Sequence, residues 1–445
     1  MHRRIALVIA SLTYAAAFCF AYIEYLNPVW DYFGFKYYPM DPIRFTALVF
    51  LITTTSMTQP TDIRQPAPLT LFILYINVYI PYVIVALLLD AQSISLYGNS
   101  VVAMTVVFWI AGKACNIMKS TNTSAEISGS VDKIIIFLWM AGTAILFANY
   151  SNIIGFGSLT DFVDIYDQRV AGTATSPFLA YTQTLYSSVL VPGMLAIGIF
   201  RRRYIIIALA LGGGILMFGI TAQRTVLLLP AIIILLHLAI SSKRIGTYAA
   251  PSLMAFLSAT FIFSATSAEE NPVSAAVALM LTFRTIAIPG LTLTQYEDLF
   301  SVIGHTYWSH VKGIELIAPS PSYAATDPLW PNLGYMVGDR IYGNQIFNVN
   351  ANLFAGDGVA AAGSLGIIVI GAVFIGWLYA IKRASANWPS GFTCLIFVPS
   401  AVSLTNGHFF TTMLSFGGII WIALLMSLRE PAPQPIGISA INIAP

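Results

Sequence analysis

Charged side chains are scarce in this chain: Asp, Glu, Lys and Arg make up 9% of its 445 residues. Soluble domains carry about 25%, so an ordinary water-soluble fold is excluded. Cysteine is equally thin. Cys19, Cys115 and Cys394 lie in or at the ends of apolar segments with no paired spacing, which points to neither a disulfide framework nor a zinc site. No P-loop, no dinucleotide fingerprint and no cytoplasmic domain can be traced, which argues against a nucleotide-driven transporter. There is no Asp-x-Asp pair and no obvious ligand cluster for Mg²⁺, so a metal-independent reaction without cofactors is expected. A net charge of +2 and the lack of any basic run with interleaved aromatics leave no case for a nucleic-acid partner.

What the chain has instead is apolar length: 57% of its residues are hydrophobic and the mean hydropathy is +0.78. A bilayer core of about 30 Å needs roughly 20 apolar residues per helix. On that ruler about 12 spans are expected, near residues 5–22, 43–57, 69–89, 101–118, 134–154, 178–200, 204–220, 226–240, 248–264, 358–381, 392–404 and 411–428. His2, Arg3 and Arg4 before the first run, with Ala15, Ala16 and Ala17 further on, could pass for a secretory signal; followed by so many spans, the segment reads as a retained first helix. The expected fold is all-α: one polytopic integral membrane domain over residues 1–445, with a short cytoplasmic tail at 429–445.

With Arg3 and Arg4 placed inside, alternate connections carry Arg64; Lys113, Lys119 and Lys133; Arg201, Arg202 and Arg203; Lys243 and Arg244; Lys382 and Arg383; and Arg429. Fourteen of the 21 basic residues thus fall on one face, which puts both termini inside. The outside connections hold Lys36, Arg44, Arg169, Arg224, Arg284, Lys312 and Arg340, together with 15 of the 19 acidic residues. The fifth outside loop, 265–357, runs to roughly 90 residues, far beyond the ~15 at which loops become functional or disordered. Its aromatic load (Tyr296, Tyr307, Trp308, Tyr323, Trp330, Tyr335, Tyr342 and Phe347) argues for packing over disorder. The apolar stretch 272–289 is expected to be re-entrant or to lie at the membrane surface, because a full crossing would turn the last three basic loops outward.

Three outside arginines stand out. Arg169 follows Tyr166 by three residues, so on a helical turn the two share a face; pairing with Asp164 or Asp167 is the plainer explanation. Arg224 sits in the short polar gap between two strongly apolar spans, where a charge marks a substrate path or snorkels at a turn. Arg284 lies in the middle of the 272–289 stretch. Arginines converging from separate segments would suit a multiply charged anion such as pyrophosphate. Arg340 has Asp339 beside it and is a fourth candidate. For acid or base work Asp357, His305, His310, Glu315, Glu269 and Glu270 are available. Asp357 ends a polar run, Asn348 to Gly358, that leads into a helix; it serves there either as a base or as a cap. His305 and His310, among aromatics, have a structural reading too.

The span count, the enlarged third and fifth loops each carrying an Arg, Tyr166-Asp-Gln-Arg169, Gln223-Arg224-Thr225, and Asn350-Ala-Asn-Leu-Phe-Ala-Gly-Asp357-Gly-Val-Ala-Ala-Ala-Gly363 together resemble the Wzy-type O-antigen polymerases, or oligosaccharide repeat-unit polymerases, of bacterial inner membranes. Where some members place Gly eleven positions after the loop arginine, this chain has Ala180, Gln295 and Ala351 after Arg169, Arg284 and Arg340. The resemblance implies transfer of a growing glycan from polyprenyl pyrophosphate to the terminal sugar of a new lipid-linked repeat unit, at the periplasmic face of the bilayer. Arg169, Arg224, Arg284 and Arg340 would meet the pyrophosphate. Asp357, His305 or Glu269 would act on the acceptor hydroxyl, and Tyr166, Tyr307, Trp308, Asn350 and Asn352 would meet the glycan. A chain-length regulator in the membrane is an implied partner. An O-antigen ligase is the near alternative. A flippase or transporter should show two related halves, and none are found.

Overall fold

The computed structural model describes residues 2–117, 129–156, 162–242 and 246–428, with the side chains of 162–166 and 247 outside that description. Lys119, Lys243, Arg244, Arg429 and the expected tail at 429–445 therefore lie outside the described residues. Every regular element among the described residues is helical. Among the described residues ten helices are long and apolar enough to cross a membrane: His2–Phe33, Pro66–Leu88, Ser93–Ile117, Gly129–Ile153, Pro177–Phe200, Tyr204–Thr221, Arg224–Ser241, Ala249–Ser267, Pro272–Ile303 and Ala355–Ser385. Phe409–Ser415 and Ile420–Ser427, bent by 46°, qualify as an eleventh when taken together, and Pro42–Ser56 and Ser390–Leu404 are shorter apolar helices. A helix stands at each of the twelve expected spans. Pro272–Ile303 is additional.

Local chemistry sets several of the boundaries. Asp41 accepts hydrogen bonds from the N–H groups of Ile43 and Arg44 and so caps Pro42–Ser56, with proline in the first turn where no N–H is needed. Ser176 and Asn271 cap the helices that begin at Pro177 and Pro272 in the same way.

Connections that the charge pattern assigns to one face also meet in space. His2, Arg3 and Arg4 share a cleft with Thr61 and Tyr248, and Arg201 pairs with Asp132 at 3.0 Å. At the other end of the bundle, Phe33 from the first outside loop touches the rings of Phe283, Tyr342 and Phe347.

The Pro272–Ile303 helix has 32 residues, about 48 Å at 1.5 Å per residue, yet both of its ends meet the same end of the bundle. Ser274 Oγ donates to the carbonyl of Phe263, near the end of Ala249–Ser267. At the other end Asp298 accepts from the Tyr97 hydroxyl, near the start of Ser93–Ile117. Between these points the helix passes Trp30, stacked on Phe283 at 3.9 Å, and the backbone of Pro81 and Tyr82 at Gly290. Its middle is a π-helical turn, Ala278–Ala287, which lets the helix continue past Pro289 despite the missing N–H.

Ala355–Ser385 is broken. At Ala362 (φ −159°, ψ 33°) and Gly363 (φ 60°, ψ −141°) the backbone leaves the helix. A Cβ placed on Gly366 would lie 2.0 Å from the carbonyl oxygen of Gly358, whereas eight residues of straight helix span about 12 Å. The two pieces therefore lie side by side as a tight hairpin. Every residue from Ala351 to Ala361 is buried, and Phe354 reaches Phe108 and Phe374 within their helices at ring distances of 5.7 and 6.4 Å. The carbonyls of Ala360 and Ala361, freed at the break, accept from the N–H groups of Thr306 and Tyr307 at 2.8 and 2.9 Å. The chain thus enters the bundle and reverses at 351–363. At 272–289, the stretch expected to be re-entrant or to lie at the membrane surface, the backbone stays helical, first α and then π.

Candidate functional site

The hairpin holds Asp357 in the bundle with no solvent exposure. Its Oδ2 accepts a hydrogen bond from the N–H of Phe409, the residue that opens the Phe409–Ser415 helix. Its Oδ1 faces two imidazoles: His310 Nε2 at 3.5 Å and His408 Nδ1 at 3.6 Å. Asp357 Oδ1 and His310 Nε2 are both buried and neither has a hydrogen-bond partner. The His310 side chain is 5% exposed and that of His408 29%, so His408 forms the accessible edge.

Three segments build this arrangement. After Ile303 the chain turns through Gly304 and runs along the hairpin, with Tyr307 (φ 49°) and Trp308 (φ 63°) in left-handed geometry that side chains other than glycine seldom adopt. Such strain clusters at functional sites. The turn delivers the Trp308 indole N–H to the carbonyl of Asp357 at 2.7 Å and sets His310 against the carboxylate. His310 Nδ1 is hydrogen-bonded at 2.8 Å to the hydroxyl of buried Thr306, which fixes the ring. Burial pulls the His310 pKa below the usual imidazole range against the opposing effect of Asp357. The third segment is the turn before Phe409. There the His408 ring lies so close to Gly356 that a Cβ on that residue would stand 2.2 Å from it.

The other expected residues are distributed around this centre. His305 lies over the break at Gly363, with Nδ1 buried and without a hydrogen-bond partner, and burial lowers its pKa as well. Tyr307 is half exposed, at 48%, and Asn350 is exposed. Asn352 is buried: its Nδ2 donates to the carbonyl of Pro289, and its Oδ1 accepts from Phe354 and Ala355 N–H, so both polar atoms hold the start of the hairpin. Glu269 is exposed in the turn after Ser267 and is not among the groups that face Asp357. The Tyr166 side chain lies outside the described residues.

Arg169 is exposed in the last turn of Phe162–Ala171. That helix docks on the end of Tyr204–Thr221, where Gln168 donates to the carbonyls of Gly155 and Gly219 and Gly172 meets the carbonyl of Ile220. Arg224 opens the next helix, two residues after Ala222 (φ 49°). Arg169 and Arg224 thus stand on adjoining segments. Gln183 donates to the carbonyl of Gly172, and its helix packs against Phe409–Ser415, which links the third loop to the Asp357 centre. Arg284 is exposed on a separate element, the π-helical turn beside Trp30 and Phe283. Arg340 is paired with Asp327 at 3.3 Å on the surface.

His408 went unnoticed in sequence because the polar stretch around it, Asn406-Gly407-His408, is brief. The available signal was its position: charge alternation puts that connection on the same face as the fifth loop. Compared with protein-family models, curated proteins and solved structures, the chain matches none.

Proposed function

We propose that this chain is an integral protein of the bacterial inner membrane that polymerises lipid-linked oligosaccharide repeat units at the periplasmic face. The observation that carries the reading is Asp357, a buried carboxylate held at a helix reversal between His310 and His408. It lies on the end of the bundle where the enlarged loops gather. A sugar hydroxyl brought to this centre gives its proton to the Asp357–imidazole cluster as its oxygen bonds to the anomeric carbon of the growing chain. The bond from that carbon to the carrier diphosphate breaks, and the departing negative charge falls to Arg169 and Arg224, whose segments adjoin. Preorganised cations aimed at developing charge are the largest single contribution in such transfers. Exposed Tyr307 and half-buried Trp308 offer ring faces to sugars at the rim.

The test uses a host that lacks its own polymerase, with surface polysaccharide examined by gel. Arg169→Ala, Arg224→Ala and Asp357→Asn are each expected to shorten or abolish the long-chain ladder. Normal ladders from all three would discard the proposal. Loss of chain attachment with carrier-linked polymer intact would convert it to a ligase.

A further inference from the structure

His310 Nε2, Asp357 Oδ1 and His408 Nδ1 lie within 4.8 Å of one another. The separations of 3.5 and 3.6 Å between the carboxylate oxygen and the two nitrogens are long for hydrogen bonds. Leaving a carboxylate oxygen and an imidazole nitrogen buried and unsatisfied in this way is costly, and native interiors rarely do it. Ligands bound at ~2.0–2.2 Å to a tetrahedral ion stand ~3.3–3.6 Å from one another, which is the spacing of Asp357 Oδ1 from each of the two nitrogens.

The surroundings fit the same reading. With Nδ1 of His310 protonated and donating to the Thr306 hydroxyl, Nε2 turns its lone pair toward Asp357. Metal-ligating histidines are commonly held by such a bond on the far nitrogen. The second carboxylate oxygen is fixed by the Phe409 N–H, and the Trp308 indole fixes the Asp357 backbone. Two imidazoles and one carboxylate suit zinc and neighbouring first-row divalent ions; Mg²⁺ and Ca²⁺ prefer all-oxygen sets.

We infer that His310, Asp357 and His408 form a three-ligand site for one divalent ion of the zinc class, with its remaining coordination position open on the His408 side. Binding rests on this geometry alone. Its chemical role rests on the proposed transferase reading: an acceptor hydroxyl on the open position loses its proton more readily.

The experiment uses full-length protein in detergent, stripped with EDTA, dialysed and titrated with Co²⁺ alone, then with Zn²⁺ as competitor. Wild type is expected to take up one Co²⁺ per chain, with visible absorption bands that Zn²⁺ abolishes. His408→Ala changes the accessible edge and should weaken uptake by more than ~100-fold, as should Asp357→Asn, while His237→Ala binds as wild type. Size-exclusion profiles and helical circular dichroism confirm that each variant folds. Uptake by His408→Ala equal to that of wild type, or no uptake by wild type, overturns the site. Wild type that binds one ion yet makes no polysaccharide keeps the site and discards the transferase reading. Polymer formation with no metal uptake does the reverse.

Discussion

Thr306 and Gly356 show how much depends on side chains that never touch a substrate. The Thr306 hydroxyl is hydrogen-bonded to Nδ1 of His310, which leaves Nε2 facing Asp357. Thr306→Val keeps the shape and deletes the bond, so Co²⁺ affinity is expected to fall by ~10–100-fold with the thermal transition little changed. Unchanged affinity would show that the hydroxyl has no part in orienting the ring. Gly356 is there for space, since the His408 ring occupies the place of any Cβ. Of the three groups at the centre, Asp357 was legible in sequence because a polar run ending in Gly-Asp-Gly just before an apolar segment is conspicuous. His310 was visible only as a histidine among aromatics, and His408 was missed. No local spacing records their meeting, because three distant segments supply them and only the hairpin brings them together.

At the scale of elements, the decisive one is the hairpin at Ala362–Gly363. The helix expected after Asp357 holds for the segment that follows the break. The buried helix that precedes the break, carrying Asp357, gave no separate signal, since its residues are as small and apolar as those of the span it leans on. Gly363 combines positive φ with ψ −141°, a region that side chains other than glycine enter only at a cost of ~1–3 kcal/mol. Gly363→Val is therefore expected to lower the thermal midpoint in detergent and to reduce polymer length, while Gly376→Ala, where a Cβ meets open space within a helix, leaves both unchanged. Equal midpoints for the two variants would show that the reversal is unstrained. The stretch that opens the Pro272–Ile303 helix is read from sequence as apolar and as an element apart from the twelve spans, and the helix is itself long and apolar enough to cross a membrane. Its course across one end of the bundle was not readable, because hydropathy reports what a helix can be buried in and says nothing of its direction.

For the whole molecule, a helix stands at each of the twelve expected spans, and connections that the charge pattern groups together meet at the cleft of His2, Arg3 and Arg4 with Thr61 and Tyr248. That much follows from composition and length, which act over tens of residues and survive errors at any single one. The packing of loops over one end adds a prediction about sidedness. Val273 and Val302, both exposed and near opposite ends of Pro272–Ile303, should report the same compartment when each is replaced by cysteine. A membrane-impermeant thiol reagent applied to spheroplasts is expected to label both. Labelling of one from outside and of the other only after permeabilisation would mean that this helix crosses the bilayer.

The hairpin also decides on which side of Asp357 the protein is closed by packing. Beneath it the chain closes through Phe354 packed on Phe108 and Phe374, with Trp377 beyond, while the accessible edge is at His408. On the proposed function, a proton, ion or substrate that reaches Asp357 does so past His408, the more exposed of its two imidazoles, and not through the aromatic layer beneath.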